Sequence, residues 1–256
     1  MMRIVTTVAA LLLVFCGGDG DVPTERPPQT ELPATDTIEF VTPDGVNLVG
    51  DYVERDEGAG FVLMLHMLGQ DRSTWAPLIA ELNVARGYLA LDMRGHGESI
   101  AATSGSSVDF DEFDETDWAK LPDDAVFVLS RLREDKPSPF ESGGTVIVGA
   151  SIGANAALLA SAADTSVSGV VLLSPGLNYR GLETKEAAVH STIPMLIVAS
   201  SEDEYSAESC RELDAVAENS RLIMLSGAGH GTRTFAAVPE LADTVAAWIA
   251  EVIGPR

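Results

Sequence analysis

Short continuous apolar runs recur along the chain: Phe61–Leu65, Tyr88–Leu91, Thr145–Val148, Gly169–Leu173, Met195–Ala199 and Arg221–Leu225. Runs of this length without polar alternation mark strands buried on both faces. Between them, Trp75–Arg86, Trp118–Arg133, Ile152–Ala163, Ala207–Glu218 and Pro239–Ile253 read as helices, and Pro239 suits the first turn of the last one. Upstream, Thr37–Val41 and Val46–Glu54 have strand character. The turn Thr42-Pro43-Asp44-Gly45 between them predicts an antiparallel hairpin. Strands alternating with helices predict an α/β fold, a mostly parallel central sheet with helices on both faces. Folds of that kind bind ligands at the carboxyl ends of the strands.

The residues just past three of the runs carry the chemistry. Thr145–Val148 leads into Gly149-Ala150-Ser151-Ile152-Gly153, a Gly-x-Ser-x-Gly. Met195–Ala199 leads into Ser200-Ser201-Glu202-Asp203, and Arg221–Leu225 into Ser226-Gly227-Ala228-Gly229-His230-Gly231. The pentad alone is a weak signal, but a buried strand before it and a helix after it are the context of a nucleophile elbow. A serine hydroxyl needs an adjacent base. Of the four histidines, His230 lies in a glycine-rich loop after the last strand and is the candidate base. Glu202, Asp203 and Glu204 are candidates for the acid that orients it, with Asp203 favoured and Glu202 second. The backbone N–H of Ile152, directly after Ser151, is a candidate oxyanion donor.

The N-terminal end reads differently. Met1-Met2-Arg3 precedes an apolar run, Ile4 to Phe15, that is too short to span a bilayer and has signal-peptide proportions. It ends at Cys16, and Asp21 to Thr37 is a polar, proline-rich linker. This leader resembles that of a bacterial lipoprotein, in which the cysteine is acylated. Phe15 departs from the small residue such leaders carry before the cysteine, so plain secretion and an uncleaved start stay open. The resemblance implies an exported protein, lipid-anchored at Cys16 in the cell envelope. The expected organisation is a leader at 1–16, a linker at 17–36 and one folded domain at 37–256.

A net charge of −23 then removes partners from consideration, because such a surface repels nucleic acid and anionic head groups. Apolar residues at 46% and charged residues at 21% are ordinary for a globular chain. Cys16 and Cys210 form no metal-binding or redox spacing, and no structural disulfide is expected.

Taken together, residues 37–256 resemble the α/β-hydrolase superfamily. In that family the strand before the first large helix ends in His-Gly-x, whose last N–H completes the oxyanion hole. The resemblance assigns that role to Leu68 in His66-Met67-Leu68-Gly69, with Met67 standing where the family has glycine. Asp92-Met93-Arg94-Gly95-His96-Gly97-Glu98-Ser99 is similar to a structural turn of the family, which implies a structural His96. Ser151 sets the chain apart from members with an aspartate or cysteine nucleophile. Only about twenty residues, Ser174 to Pro194, stand where a lid is often inserted, so no cap domain is expected. The resemblance is to small, capless serine esterases and dienelactone-hydrolase-like members. It implies cleavage of a small-molecule ester without metal or cofactor.

Several readings stay open. Tyr179 and Arg180 are pocket-lining residues or part of a surface loop. The acidic stretch Ser104–Asp117, with Phe110 and Phe113, is a flap or, preferably, a solvated connector. Thioesterase, acyltransferase or small peptidase activity would use the same triad, and a non-catalytic, lipid-anchored binding protein is the rival of another class.

Overall fold

A computed structural model describes residues 35–254, except 56–58, 83–85, 138–139 and 141–142. The expected leader, most of the linker and Cys16 lie outside the described residues. Strands β1 (Asp36–Val41) and β2 (Val46–Val53) form the predicted hairpin. Its turn is closed by Gly45 N–H donating to the Thr42 carbonyl at 2.8 Å and Val46 N–H to Thr42 Oγ1 at 2.9 Å.

From there strands and helices alternate: β3 (Phe61–Leu65), α1 (Ala76–Leu82), β4 (Gly87–Leu91), the short β5 (Ala101–Ala102), α2 (Glu115–Trp118), α3 (Leu121–Asp135), β6 (Thr145–Ala150), α4 (Ile152–Ala163) and β7 (Val167–Leu173). A two-stranded hairpin, β8 (Asn178–Tyr179) and β9 (Leu182–Glu183), precedes α5 (Lys185–His190). Then come β10 (Met195–Ser200), α6 (Glu204–Val216), β11 (Ser220–Leu225), α7 (Arg233–Ala237) and α8 (Glu240–Ile253). The main sheet runs β1-β2-β4-β3-β6-β7-β10-β11, with β5 paired to β2. From β4 to β11 all neighbours are parallel, which places the carboxyl ends of β3, β6, β7, β10 and β11 on one edge.

Strand alternation divides the apolar residues between two cores. Leu63, Ile147, Val170, Leu172 and Ile197 face α3, α4 and α6. Val62, Met64, Val146, Val148, Val171 and Leu196 face α1 and α8. Both faces are covered, which is why β3, β6 and β10 read as unbroken apolar runs.

Some elements depart from expectation. In place of one helix beginning at Trp75 there is a 3₁₀ turn, Arg72–Trp75, followed by α1, whose second residue is Pro77. Proline has no N–H to donate and belongs in the first turn. Likewise α3 begins at Leu121 with Pro122 in its first turn, and Trp118 ends the separate α2, capped by Asp114. Strand β11 lies at the sheet edge and is half-buried, although its run resembled a strand covered on both faces. Residues 174–194 hold only the small hairpin and α5, so among the described residues no cap domain is inserted there. Cys210 is a free, buried thiol.

Candidate active site

Ser151 sits between β6 and α4 with φ +54° and ψ −122°. Among the described residues only Ser151, Ser174 and Arg180 combine a side chain with positive φ. For a residue with a Cβ such a backbone is costly and is held by its surroundings. Here the Ser151 N–H donates to the Leu173 carbonyl at 2.8 Å. The flanking glycines let the elements approach. A Cβ on Gly149 would lie 2.2 Å from the Gly153 carbonyl oxygen, and a Cβ on Gly153 would lie 2.3 Å from that of Leu65. The start of α4 therefore packs directly on the end of β3. The Ile152 N–H, at the first helical position, has no residue four back within the helix to accept from it.

The acid and the histidine meet across 27 residues. His230 Nδ1 lies 2.6 Å from Asp203 Oδ2. Of the other two candidates, Glu204 is exposed in the first turn of α6 and Glu202 faces elsewhere. Its Oε2 accepts from Gly227 N–H at 2.6 Å and from Ser200 Oγ at 2.8 Å, and its Oε1 accepts from Ser226 Oγ at 3.0 Å. The Gly227 and Ser200 bonds, with Ser226 adding to them, hold this carboxyl at about 2. Ser200 Oγ also accepts from Ala228 N–H at 2.9 Å. Glu202 and Ser200 thus staple the loop that presents His230 to the end of β10.

Ser174 holds the other side of that loop. It is fully buried at the end of β7, and its Oγ accepts from Gly231 N–H at 2.9 Å. Sequence reasoning passed over Ser174, Ser200 and the stapling role of Glu202. The available signal was a polar residue ending an apolar run at the functional edge.

His66 organises the turn that carries Leu68. Its Nε2 lies 3.0 Å from the Met93 backbone nitrogen, which can only donate, so Nε2 accepts and Nδ1 carries the proton. Nδ1 then donates to the Met67 carbonyl at 2.9 Å. Burial pushes the imidazole down to about 3, so it stays neutral. The Met67 side chain is buried, part of the same apolar core as Trp75, Ala150 and Phe235. Gly231 makes this possible, since a Cβ there would stand 2.7 Å from the Met67 sulfur.

His96 is buried. Its Nδ1 donates to the Arg94 carbonyl at 2.9 Å, and its ring stacks on Phe110 with centroids 4.1 Å apart. Phe113 packs on Trp118 at 5.0 Å. Within 104–117 the two phenylalanines are packed while Asp111, Glu112, Asp114 and Glu115 face solvent.

Across the edge, the hairpin β8–β9 turns through Arg180 and Gly181, both at positive φ. That is the pattern of a type I′ turn. Asn155, one helical turn beyond Ser151 and fully buried, clamps it. Its Nδ2 donates to the Leu182 carbonyl at 2.8 Å, and its Oδ1 accepts from Gly176 N–H at 3.0 Å. The Arg180 guanidinium lies 5.5 Å from the Trp118 ring centroid.

The chain is similar to known proteins over most of this framework. The profile of the alpha/beta hydrolase family matches residues 62–248. No curated protein sequence matches significantly. An esterase from Pyrococcus furiosus superposes with a TM-score of 0.68 at 18% identity, covering 86% of this chain and 92% of that one. An esterase from Rhodococcus sp. gives 0.66 at 16%, covering 84% and 99%. The dienelactone hydrolase of Anabaena variabilis gives 0.66 at 18%, covering 87% and 99%.

Proposed function

This chain belongs to the alpha/beta hydrolase family, and within it we propose a serine esterase acting on small carboxylic esters. The observation that carries the reading is the 2.6 Å hydrogen bond that His230 Nδ1 makes to Asp203 Oδ2, on the edge where the strained Ser151 leaves β6. With Nδ1 committed to Asp203, Nε2 of His230 is the nitrogen left to accept a proton. In this mechanism it takes the Ser151 proton as the hydroxyl attacks the ester carbonyl. The N–H groups of Ile152 and Leu68 hold the oxyanion. The alcohol leaves with a proton from His230, and water activated by the same imidazole releases the acid from the acyl-enzyme.

Labelling of the purified protein with a fluorophosphonate probe, beside Ser151→Ala and His230→Ala, tests the mechanism. The parent is labelled and turns over a short p-nitrophenyl ester, and neither variant does so at a comparable rate. A parent that stays unlabelled while folded would refute the reading.

The second part of the proposal is export and anchoring through Cys16, supported by the apolar run Ile4 to Phe15 in front of it. Incorporation of a palmitate analogue in bacteria by the parent, and not by Cys16→Ser, is the expected result. Equal incorporation would count against the anchor.

A further inference from the structure

The sheet order places β6, with Ser151 at its end, between β3 and β7. The turn 66–69 therefore flanks the serine from one side and the hairpin β8–β9 from the other. Tyr179, on that hairpin, is partly buried. Its ring meets the His230 ring edge-on with centroids 6.4 Å apart, and packs on Tyr205 at 5.4 Å. Its hydroxyl lies 2.9 Å from Ser206 Oγ. Burial raises the phenol, the hydrogen bond with Ser206 and, to a smaller extent, the nearby Ser151 hydroxyl pull against that, and the group remains a protonated donor at neutral pH.

The hairpin is built to hold the phenol in place. Asn178 N–H donates to the Tyr205 hydroxyl at 3.0 Å, which in turn donates to the Asn178 carbonyl at 2.9 Å. Leu177 N–H donates to Ser209 Oγ at 3.1 Å. With the two Asn155 bonds, both α4 and α6 fix the segment. Ser206 can also free the phenolic proton. Its alternative acceptor, the Ser174 carbonyl, is 3.4 Å away, whereas Tyr179 Oη is at 2.9 Å. Either hydroxyl of the Tyr179–Ser206 pair can donate, and the 2.9 Å separation suits Ser206 donating to Tyr179 Oη. That arrangement leaves the phenolic hydrogen for an acceptor in the cleft.

We propose that Tyr179 is a further catalytic residue, whose phenol donates a hydrogen bond to the leaving-group oxygen of the ester as the acyl-enzyme forms. The inference rests on the serine-esterase reading. The Leu68 N–H approaches from the β3 side and the Ile152 N–H from the start of α4, so a donor on the β7 side, beside the His230 imidazole, is placed for the oxygen that His230 protonates. In the step, the bond between the acyl carbon and the alcohol oxygen breaks and its electron pair goes to that oxygen. His230 Nε2 supplies the proton. The phenol stabilises the developing alkoxide and is itself unchanged.

The test compares Tyr179→Phe with the parent on two esters of one acid, methyl butyrate and p-nitrophenyl butyrate, by kcat/KM. This quantity covers the steps through acylation. An alkoxide needs help to leave and p-nitrophenolate does not. The expected result is a loss of about 10- to 100-fold on the methyl ester and less than about 3-fold on the aryl ester, the size of general-acid or hydrogen-bond assistance. A structural role would lower both rates alike. Equal loss on both esters, or no loss on either, overturns the proposal. Fluorophosphonate labelling of Ser151 in the parent separates the two levels: labelled protein with the wrong leaving-group pattern refutes only the role of Tyr179, and unlabelled parent refutes both readings.

Discussion

The sulfur of Met67 fills the space that a side chain at Gly231 would need, 2.7 Å from an ideal Cβ at that position. The turn bearing Leu68 and the loop bearing His230 are thereby packed on each other. Thr232 Oγ1 adds a contact to the same sulfur at 3.7 Å. Gly231→Ala meets two costs, the clash and a φ of +58°. We expect a loss of about 1–3 kcal/mol in chemical denaturation and at least a tenfold fall in the proposed esterase activity. In a Met67→Ala background the same change should cost less by about 1 kcal/mol or more, because the steric part is gone. Strictly additive effects would show that the two loops are not coupled.

Asp203 and Glu202 adjoin in sequence and do different work. Asp203→Asn, which removes the charge facing His230 Nδ1, is expected to lower kcat by about 10²- to 10⁴-fold with little change in KM. Glu202→Gln, which weakens only the staple to residues 226–227, should cost less than about tenfold. Steady-state kinetics on one aryl ester distinguishes them, and comparable losses would contradict the division of roles.

The Glu202 staple also has a pH signature. Its carboxyl titrates at about 2 in the folded protein against an ordinary 4.5, chiefly because Gly227 N–H and Ser200 Oγ donate to the ionised form. A folded-state value below the unfolded one adds stability above about pH 4.5. That contribution fades as the pH falls through 4.5 towards 2. Urea midpoints measured between pH 3 and 7 should fall less steeply in Glu202→Gln than in the parent. Parallel curves would mean that this carboxylate is not linked to folding.

Asn155 joins the helix after Ser151 to the hairpin that carries Tyr179. Asn155→Ala leaves the buried Gly176 N–H and Leu182 carbonyl without their partner. The expected loss is about 2–4 kcal/mol in denaturation, together with a fall in kcat/KM as the hairpin loosens. An unchanged denaturation midpoint would show that the hairpin does not depend on this clamp.

Much of this architecture was legible in the chain itself. The apolar runs at 61–65, 145–148 and 195–199 revealed their strands because both faces of those strands are covered, and complete burial leaves an unbroken apolar signature. The Arg221–Leu225 run gave the right strand and the wrong surroundings, since an edge strand can be as apolar as a central one. Helix starts shifted at Pro77 and Pro122, where a missing N–H outweighs the apolar spacing. Ser151, the 202–204 acids and His230 could be named because each follows a strand, and parallel strands bring their carboxyl ends to one edge.

Tertiary structure decided what local pattern does not encode. Which carboxylate of the adjacent pair turns to His230 depends on the exit angle of one residue into α6, and on the amide that Gly227 offers to the other. That Met67 is accommodated depends on a glycine 164 positions away. That Tyr179 lies beside Ser151 depends on β7 being the neighbour of β6 and on the clamps from α4 and α6. Periodicity reports whether a residue is buried. The identity of its neighbour is fixed only when the sheet order and the loops close around it.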